Sequence, residues 1–278
     1  MLRSKGMERL ICQKDGTCIR VHCEGASYTL NYRLDHPKNP PTRIYHPKEG
    51  KRLLRASEGV NHREKLCEVW DQGKLGSCTA QTIAATLMMC MCHEKFTPSR
   101  LFIYYCSRAL AKISPGEDSG CTMYDACRAI ATYGFCREEL MPYSEDGHTA
   151  FPPLVAFQEA TSRTNYIYES IRLNLNDLTS VLDEGFCFII GIAVYESLFD
   201  KEVVSSGNIR MPQTQRENLL GGHAITICGY DRRNRIFHVR NSWGQKWGNK
   251  GYGTIPFDYL TNPNLAMDAF VLRCKSHH

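Results

Sequence analysis

The chain changes period part-way along. From Ser77, in SCTAQTIAATLMMCMCHE, the apolar residues Ile83, Leu87 and Met91 recur every four positions, with Ala84 and Met88 beside them. That spacing predicts a helix, and Ser77 supplies an N-cap. Helical spacing returns in SRLFIYYCSRALAKI near 99–113, in TMYDACRAIATYG near 122–134 and in LNDLTSVLDEG, which stops at Gly185. The period then shortens. FCFIIGIAVY (186–195), HAITICGYD (223–231) and RIFHVRNSW (235–243) are rich in β-branched and aromatic residues and predict strands. Helices first and strands later imply an α+β protein with a helical lobe and a sheet lobe.

Residues 1–60 hold neither period for long. TCIRVHC and ASYTLNYRL predict short strands. HPKNPPTRIYHPKEGKR, crowded with Pro, Lys and His, predicts an extended arm. The expected organisation is an N-terminal extension over 1–60 and one domain over 61–278.

Composition narrows the classes. Hydrophobic residues at 42% and charged residues at 23% suit a globular protein, and 278 residues are enough for two modest lobes with real cores. No apolar run approaches the roughly 20 residues that cross a bilayer, so no membrane span is expected. The longest such run, Phe186 to Tyr195, suits a buried strand. The start, MLRSKGMERLICQKDG, has basic residues with no apolar block behind them and does not read as a secretory signal. The net charge of +5 is spread along the chain without a long Lys/Arg cluster, which argues against a nucleic-acid partner. Fourteen cysteines include no CxxC pair, so the usual zinc-finger spacing is missing. Cys90, Cys106, Cys187 and Cys228 fall inside apolar patterns, where a thiol behaves as a small hydrophobe. Reduced thiols in a cytosol-like compartment are the expectation. For the loose cluster Cys12, Cys18 and Cys23, a local disulfide and a metal site both stay open.

Candidate chemistry starts at Cys78. It opens the first long helix, where unpaired N–H groups and the helix dipole favour a thiolate. Gly73 and Gly76 just before it allow a backbone to approach closely. Gln72 offers an amide N–H that, with the Cys78 backbone N–H, could hold an oxyanion. In GGHAITICGYDRRNRIFHVRNSWG a hairpin is expected, with Asp231 to Asn234 as its turn. Simple pairing then sets Tyr230 opposite Arg235, His223 opposite Ser242 and Asn241 opposite Ala224. His223 and Asn241 become neighbours, so that the Asn oxygen accepts from one imidazole nitrogen and leaves the other for a nucleophile.

QGKLGSCTA, GGHAITICGYD and NSWGQKWGNKGYGTI resemble the Cys, His and Asn blocks of the papain-like cysteine peptidases. They occur in that family's order, and the likeness runs from about residue 60 to 275. The resemblance implies a helical left lobe on a β-barrel-like right lobe with a cleft between them. It implies Cys78 as nucleophile, His223 as general acid/base, Asn241 as its orienting partner and Gln72 in the oxyanion hole. The implied resting state is a thiolate–imidazolium pair that hydrolyses peptide bonds through an acyl enzyme, with no metal or organic cofactor. Trp243 matches the indole that shields the His–Asn pair, and Trp247 the wall on the leaving-group side. Protein or peptide substrates are the expected partners of a monomer.

The departures carry their own expectations. Leu75 and Thr79 stand where the family usually has Cys before the Gly and an aromatic after the nucleophile. Leu75 removes half of a disulfide common in secreted members, which agrees with a reducing compartment or with a divergent microbial or viral branch. The Gly-Gly substrate shelf corresponds to Glu117 through Cys121, placing Ser119, Gly120 and Gly222 along the substrate. The pocket for the second residue before the cut should lie near Ala266, Met267 and Asp268. Met267 favours an apolar side chain and Asp268 a basic one, and the apolar choice is preferred. The N-terminal extension has two readings, a packing arm along the sheet lobe, which is preferred, or a short propeptide that blocks the cleft. Two rival functions use the same residues, a catalytically silent binding fold and a Cys–His acyltransferase. The complete catalytic set argues against the first and the N-S-W-G-x-x-W-G block against the second.

Overall fold

The computed structural model describes residues 8–11, 19–23, 26–33, 43–47, 58–91 and 96–275. The N-terminal part holds β1 (Glu8–Ile11), β2 (Ile19–Cys23) and β3 (Ala26–Leu30), and β4 (Gly59–Asn61) follows. The helical lobe holds α1 (Cys78–Cys90), α2 (Arg100–Leu110), α3 (Met123–Tyr133) and α4 (Leu154–Thr161). After β5 (Tyr166–Ser170) come α5 (Leu175–Asp183), β6 (Phe188–Tyr195), α6 (Lys201–Ser206), β7 (Leu219–Asp231), β8 (Ile236–Arg240), β9 (Tyr252–Pro256), α7 (Phe257–Leu260) and β10 (Ala266–Cys274).

The helices start where short polar side chains can cap them. Ser99, Thr122 and Asn174 accept from the backbone N–H groups of Phe102, Asp125 and Asp177 and so begin α2, α3 and α5. Ser77 occupies the cap position of α1 but makes no capping bond; its hydroxyl meets the Tyr143 hydroxyl at 2.6 Å. Nor is α1 amphipathic in use. It packs against α2 and α3 on one side and β6, β7 and β10 on the other, and nearly all of it is buried. Its Ala- and Thr-rich sequence suits a helix enclosed all round.

The large sheet is antiparallel, in the order β5-β10-β6-β7-β8-β9, with β4 added on β7. Its outer strands β5 and β9 do not pair with each other, so the barrel-like lobe is not a closed barrel. Two cores meet along β6. Phe188, Ile190, Ile192 and Val194 join a sheet-lobe core with Ile225, Ile227, Phe237, Val239, Trp243 and Trp247. Ile189, on the opposite face, joins the helical-lobe core with Ile83, Leu87, Phe102 and Ile130. This period-2 split makes β6 the divider between the lobes.

The β7–β8 hairpin corrects the expected register. Tyr230 pairs with Phe237 and Thr226 with Arg240. The turn spans Arg232 to Arg235, with Arg235 left-handed at φ 55°, and a bulge between Ile227 and Gly229 takes up one residue. The offset therefore shrinks from two residues near the turn to one at Thr226, close enough to keep His223 beside Asn241.

The N-terminal part is more than an arm. β1, β2 and β3 form a three-stranded antiparallel sheet, with β2 in the middle. Val21, Tyr28 and Leu30 enter the sheet-lobe core, whereas Tyr32 enters the helical-lobe core. The chain thus crosses the boundary between the lobes within three residues. Further on, Tyr45 donates its N–H to the Ser170 carbonyl at the edge of β5. Cys12, Cys18 and most of the Pro- and Lys-rich stretch lie outside the described residues; Cys23 donates its thiol to the Phe199 carbonyl.

Candidate active site

Cys78 lies in the first turn of α1, where the lobes meet. Its sulfur faces the backbone N–H groups of Thr79, Asn31 and Ala224 and its own N–H. Ala224 follows His223 on β7, which carries the imidazole to the same end of the sheet. His223 Nε2 lies 2.8 Å from Asn241 Oδ1. The same oxygen accepts the Ser242 N–H at 2.8 Å, which fixes the orientation of the Asn amide. Nε2 is therefore the protonated nitrogen of the neutral ring. Nδ1 is buried with no hydrogen-bond partner among the described residues and keeps its lone pair. Trp243 stacks on the imidazole with ring centroids 4.4 Å apart. Trp247 is fully buried and reaches this group through its edge-on contact with Trp243.

Gln72 is held by its backbone and by both ends of its side chain. Its N–H bonds the Ser242 carbonyl, its Oε1 accepts the Ser242 hydroxyl at 2.6 Å, and its Nε2 donates to the Leu75 carbonyl at 3.0 Å. Nε2 also faces the Thr29 carbonyl at 3.3 Å. That carbonyl belongs to the N-terminal part, which occupies the cleft. Asn31 Nδ2 donates to the Asp118 carbonyl at 2.7 Å, and Thr29 Oγ1 to the Gly73 carbonyl at 3.0 Å. Tyr32 N–H donates to the Gly222 carbonyl at 3.0 Å. Gly120, at φ +68°, leaves no room for a side chain, since a Cβ there would lie 1.7 Å from the Asn31 carbonyl oxygen. Ser119 is buried beside it. Tyr104 positions this loop, donating to Asp118 Oδ1 and accepting from the Gly120 N–H. Met267 pairs with Gly191 across β10 and β6, and the next residue, Asp268, accepts the Tyr32 hydroxyl at 2.6 Å.

This crowding reverses the expected electrostatics. Cys78 is 0% exposed, and burial pushes its thiol up to about 11, more than the four N–H groups pull it down. Burial also presses the His223 imidazole down to about 4, although the Asn241 contact acts in the other direction. With the cleft filled, the pair is a neutral thiol and a neutral imidazole at neutral pH. The helix N-terminus favours a thiolate but does not outweigh desolvation here.

Asn31, Tyr32, Tyr104 and Gly191 were not singled out by sequence pattern, and Asp118 entered only as part of the shelf stretch Glu117 through Cys121. A glycine inside the apolar run FCFIIGIAVY does carry a signal, because such a residue marks a close approach; a Cβ on Gly191 would lie 2.3 Å from the Tyr32 ring.

Known proteins now bear on this geometry. A protein of Acanthamoeba polyphaga mimivirus described as an uncharacterized peptidase C1-like protein is 34% identical over 222 residues, covering 76% of this chain and 70% of that protein. Mouse procathepsin L is 27% identical over 231 residues, covering 78% of this chain and 65% of that protein. The chain thus spans about two thirds of the length of these relatives. Among solved structures, xylellain, a cysteine protease from Xylella fastidiosa, superposes with a TM-score of 0.81 at 28% identity, covering 88% of this chain and 96% of that one. The sequence profile of the papain family cysteine proteases matches residues 56–270. Most of the sequence and the two-lobed fold carry the same likeness, and the chain belongs to the papain family of cysteine proteases.

Proposed function

We propose that Cys78, His223 and Asn241 form the catalytic set of this peptidase and that the N-terminal segment around Thr29–Tyr32 holds it shut. The observation that carries the reading is that His223 Nε2 lies 2.8 Å from Asn241 Oδ1 and leaves Nδ1 over, on a strand that packs against the helix opened by Cys78. Once the cleft is open to water, Cys78 passes its proton to His223 Nδ1. The thiolate attacks a peptide carbonyl. Gln72 Nε2 and the Cys78 N–H hold the oxyanion, at typically about 3 kcal/mol per donor. His223 then protonates the leaving amine, and a water activated by neutral His223 releases the acyl group from sulfur.

The direction of the segment supports inhibition rather than turnover. Tyr28 contacts Trp243, Thr29 lies on Gln72, Asn31 lies at Cys78, and Tyr32 lies beside Met267 and Asp268. The family resemblance puts the Trp side at the leaving group and the Met267 side before the cut. On that assignment the segment runs opposite to a substrate. Its Thr29 carbonyl fills the oxyanion site while the residue on the Cys78 sulfur contributes an N–H.

The test is hydrolysis of a fluorogenic Phe-Arg peptide by the full chain under reducing conditions, with and without an epoxide inhibitor of cysteine peptidases. Slow, inhibitor-sensitive cleavage that rises in Tyr32→Ala and disappears in Cys78→Ala is expected. Full activity in Cys78→Ala would sink the mechanism.

A further inference from the structure

The loop from Gln72 to Ser77 separates the two donors of the proposed oxyanion hole, the Gln72 side chain and the Cys78 N–H. It contains two glycines, and Gly73 is left-handed at φ +57°. Tyr143, packed on the helical-lobe core, clasps both ends of this loop. Its hydroxyl donates to the Gln72 carbonyl at 2.8 Å and lies 2.6 Å from the Ser77 hydroxyl. A phenol has one proton to give and the carbonyl takes it, so Ser77 donates to the phenol oxygen. That bond explains why Ser77 makes no cap. With its hydroxyl turned to Tyr143, the N–H of Thr79, which a capping serine could claim, is left to the Cys78 sulfur. Tyr143 is itself held in place. The Arg100 guanidinium lies 4.4 Å from its ring centroid and pairs with Glu138, and Glu138 Oε1 accepts the Tyr143 N–H at 2.9 Å. Burial pushes the phenol up to about 12, so it stays protonated and keeps donating.

We infer that Tyr143 is a positioning residue of the oxyanion hole, fixing the Gln72 amide so that it aims at the point served by the Cys78 N–H. The inference rests on the peptidase reading of Cys78. Tyr143 touches no reacting atom; it acts through the Gln72 carbonyl, with the Ser77 hydroxyl steadying the phenol. The oxyanion forms only as the thiolate attacks, so a misaimed donor slows hydrolysis without hindering other reactions of the sulfur.

Two rates on the full chain test this, kcat/KM for a fluorogenic Phe-Arg peptide and the rate of Cys78 alkylation by iodoacetamide. Both need an open cleft and a thiolate, but only hydrolysis uses the oxyanion hole. Their ratio cancels changes in opening and in thiolate fraction, which a merely structural role would cause. Tyr143→Phe keeps the ring against Arg100 and should lower the ratio about tenfold, part of the roughly 10²–10³ that loss of a whole donor costs. Ser77→Ala leaves the phenol on the Gln72 carbonyl and should lower it about threefold. Gln72→Ala removes a donor outright and should lower it about 100-fold. Adding Tyr143→Phe to Gln72→Ala should then cost about threefold at most, because the donor it aims is gone. A ratio unchanged in Tyr143→Phe, or a tenfold loss undiminished in the Gln72→Ala background, overturns the inference. If Gln72→Ala weakens hydrolysis and Tyr143→Phe does not, the positioning role alone is rejected. Alkylation of Cys78 with no hydrolysis by the native chain, or a ratio unmoved by Gln72→Ala, fails the peptidase reading, and the positioning role goes with it.

Discussion

Replacing Tyr32 with alanine should convert a closed enzyme into a largely open one. The ring is buried between β6 and β10, and its hydroxyl is bonded to Asp268. Truncating a buried aromatic side chain to alanine costs about 3–5 kcal/mol. Tyr32 belongs to the segment that fills the cleft, so most of that loss should fall on docking of the segment and little on the lobes. At the lower end, 3 kcal/mol is a shift of roughly 100-fold in the closed-to-open equilibrium, and 4 kcal/mol approaches 1,000-fold. Cys78 is fully buried when the segment is docked, so iodoacetamide reaches it only through opening. Its alkylation rate, followed by mass spectrometry, should therefore rise by about 100- to 1,000-fold, up to the limit set by a fully open cleft. Cys106, buried in α2, is the internal control for global unfolding. A Cys78 rate that stays at the native value in a folded variant would refute control of access by this segment. A parallel rise at Cys106 would mean that the mutation loosened the fold instead.

Asn241→Ala should lower kcat for peptide hydrolysis less than Cys78→Ala does. The Asn orients a base rather than forming a bond to substrate, so its loss removes only part of the roughly 10²–10⁴ that a positioned base contributes. Turnover per active site, after titrating Cys78, measures this; a loss equal to that of Cys78→Ala would contradict the orienting role. Opening of the segment should be independent of pH between about 4 and 6.5, as judged by deuterium uptake at the Tyr32 amide after correction for intrinsic exchange.

The parts of the site legible in the sequence are those fixed by local pattern. Cys78 begins a helix because helical spacing begins there, and His223 and Asn241 lie at corresponding ends of two strands joined by a short turn. The register error has a physical cause. Arg235 adopts a left-handed conformation without being Gly or Asn, and Gly229, which marks the bulge beside Cys228, does not say which way the register shifts. The neutral state of the Cys–His pair was illegible for a different reason. It depends on Thr29–Tyr32 lying in the cleft, and nothing in ASYTLNYRL says which surface those residues will cover. The enclosure of α1 was illegible for the same reason, since only tertiary packing shows that both of its faces are covered.

The segment also acts on the chemistry, beyond blocking access. Taken singly, His223 has a closed-form value below its ordinary 6.5, so it would contribute closure fully present above pH 6.5 and lost as the pH falls towards 4. Cys78, raised from 9.0 to about 11, would contribute closure present below pH 9 and lost as the pH rises towards 11. The two groups are not independent in the proposed open form. Water entering the cleft relieves the desolvation of both, and the proton that leaves sulfur stays on the imidazole. The open thiolate–imidazolium pair binds as many protons as the closed thiol–imidazole pair, so the acid limb expected from His223 alone vanishes. A tenfold loosening per pH unit below 6.5 would mean that opening takes up a proton from solution. His223 would then titrate on its own in the open enzyme, and Cys78 would have to be activated during attack rather than before it.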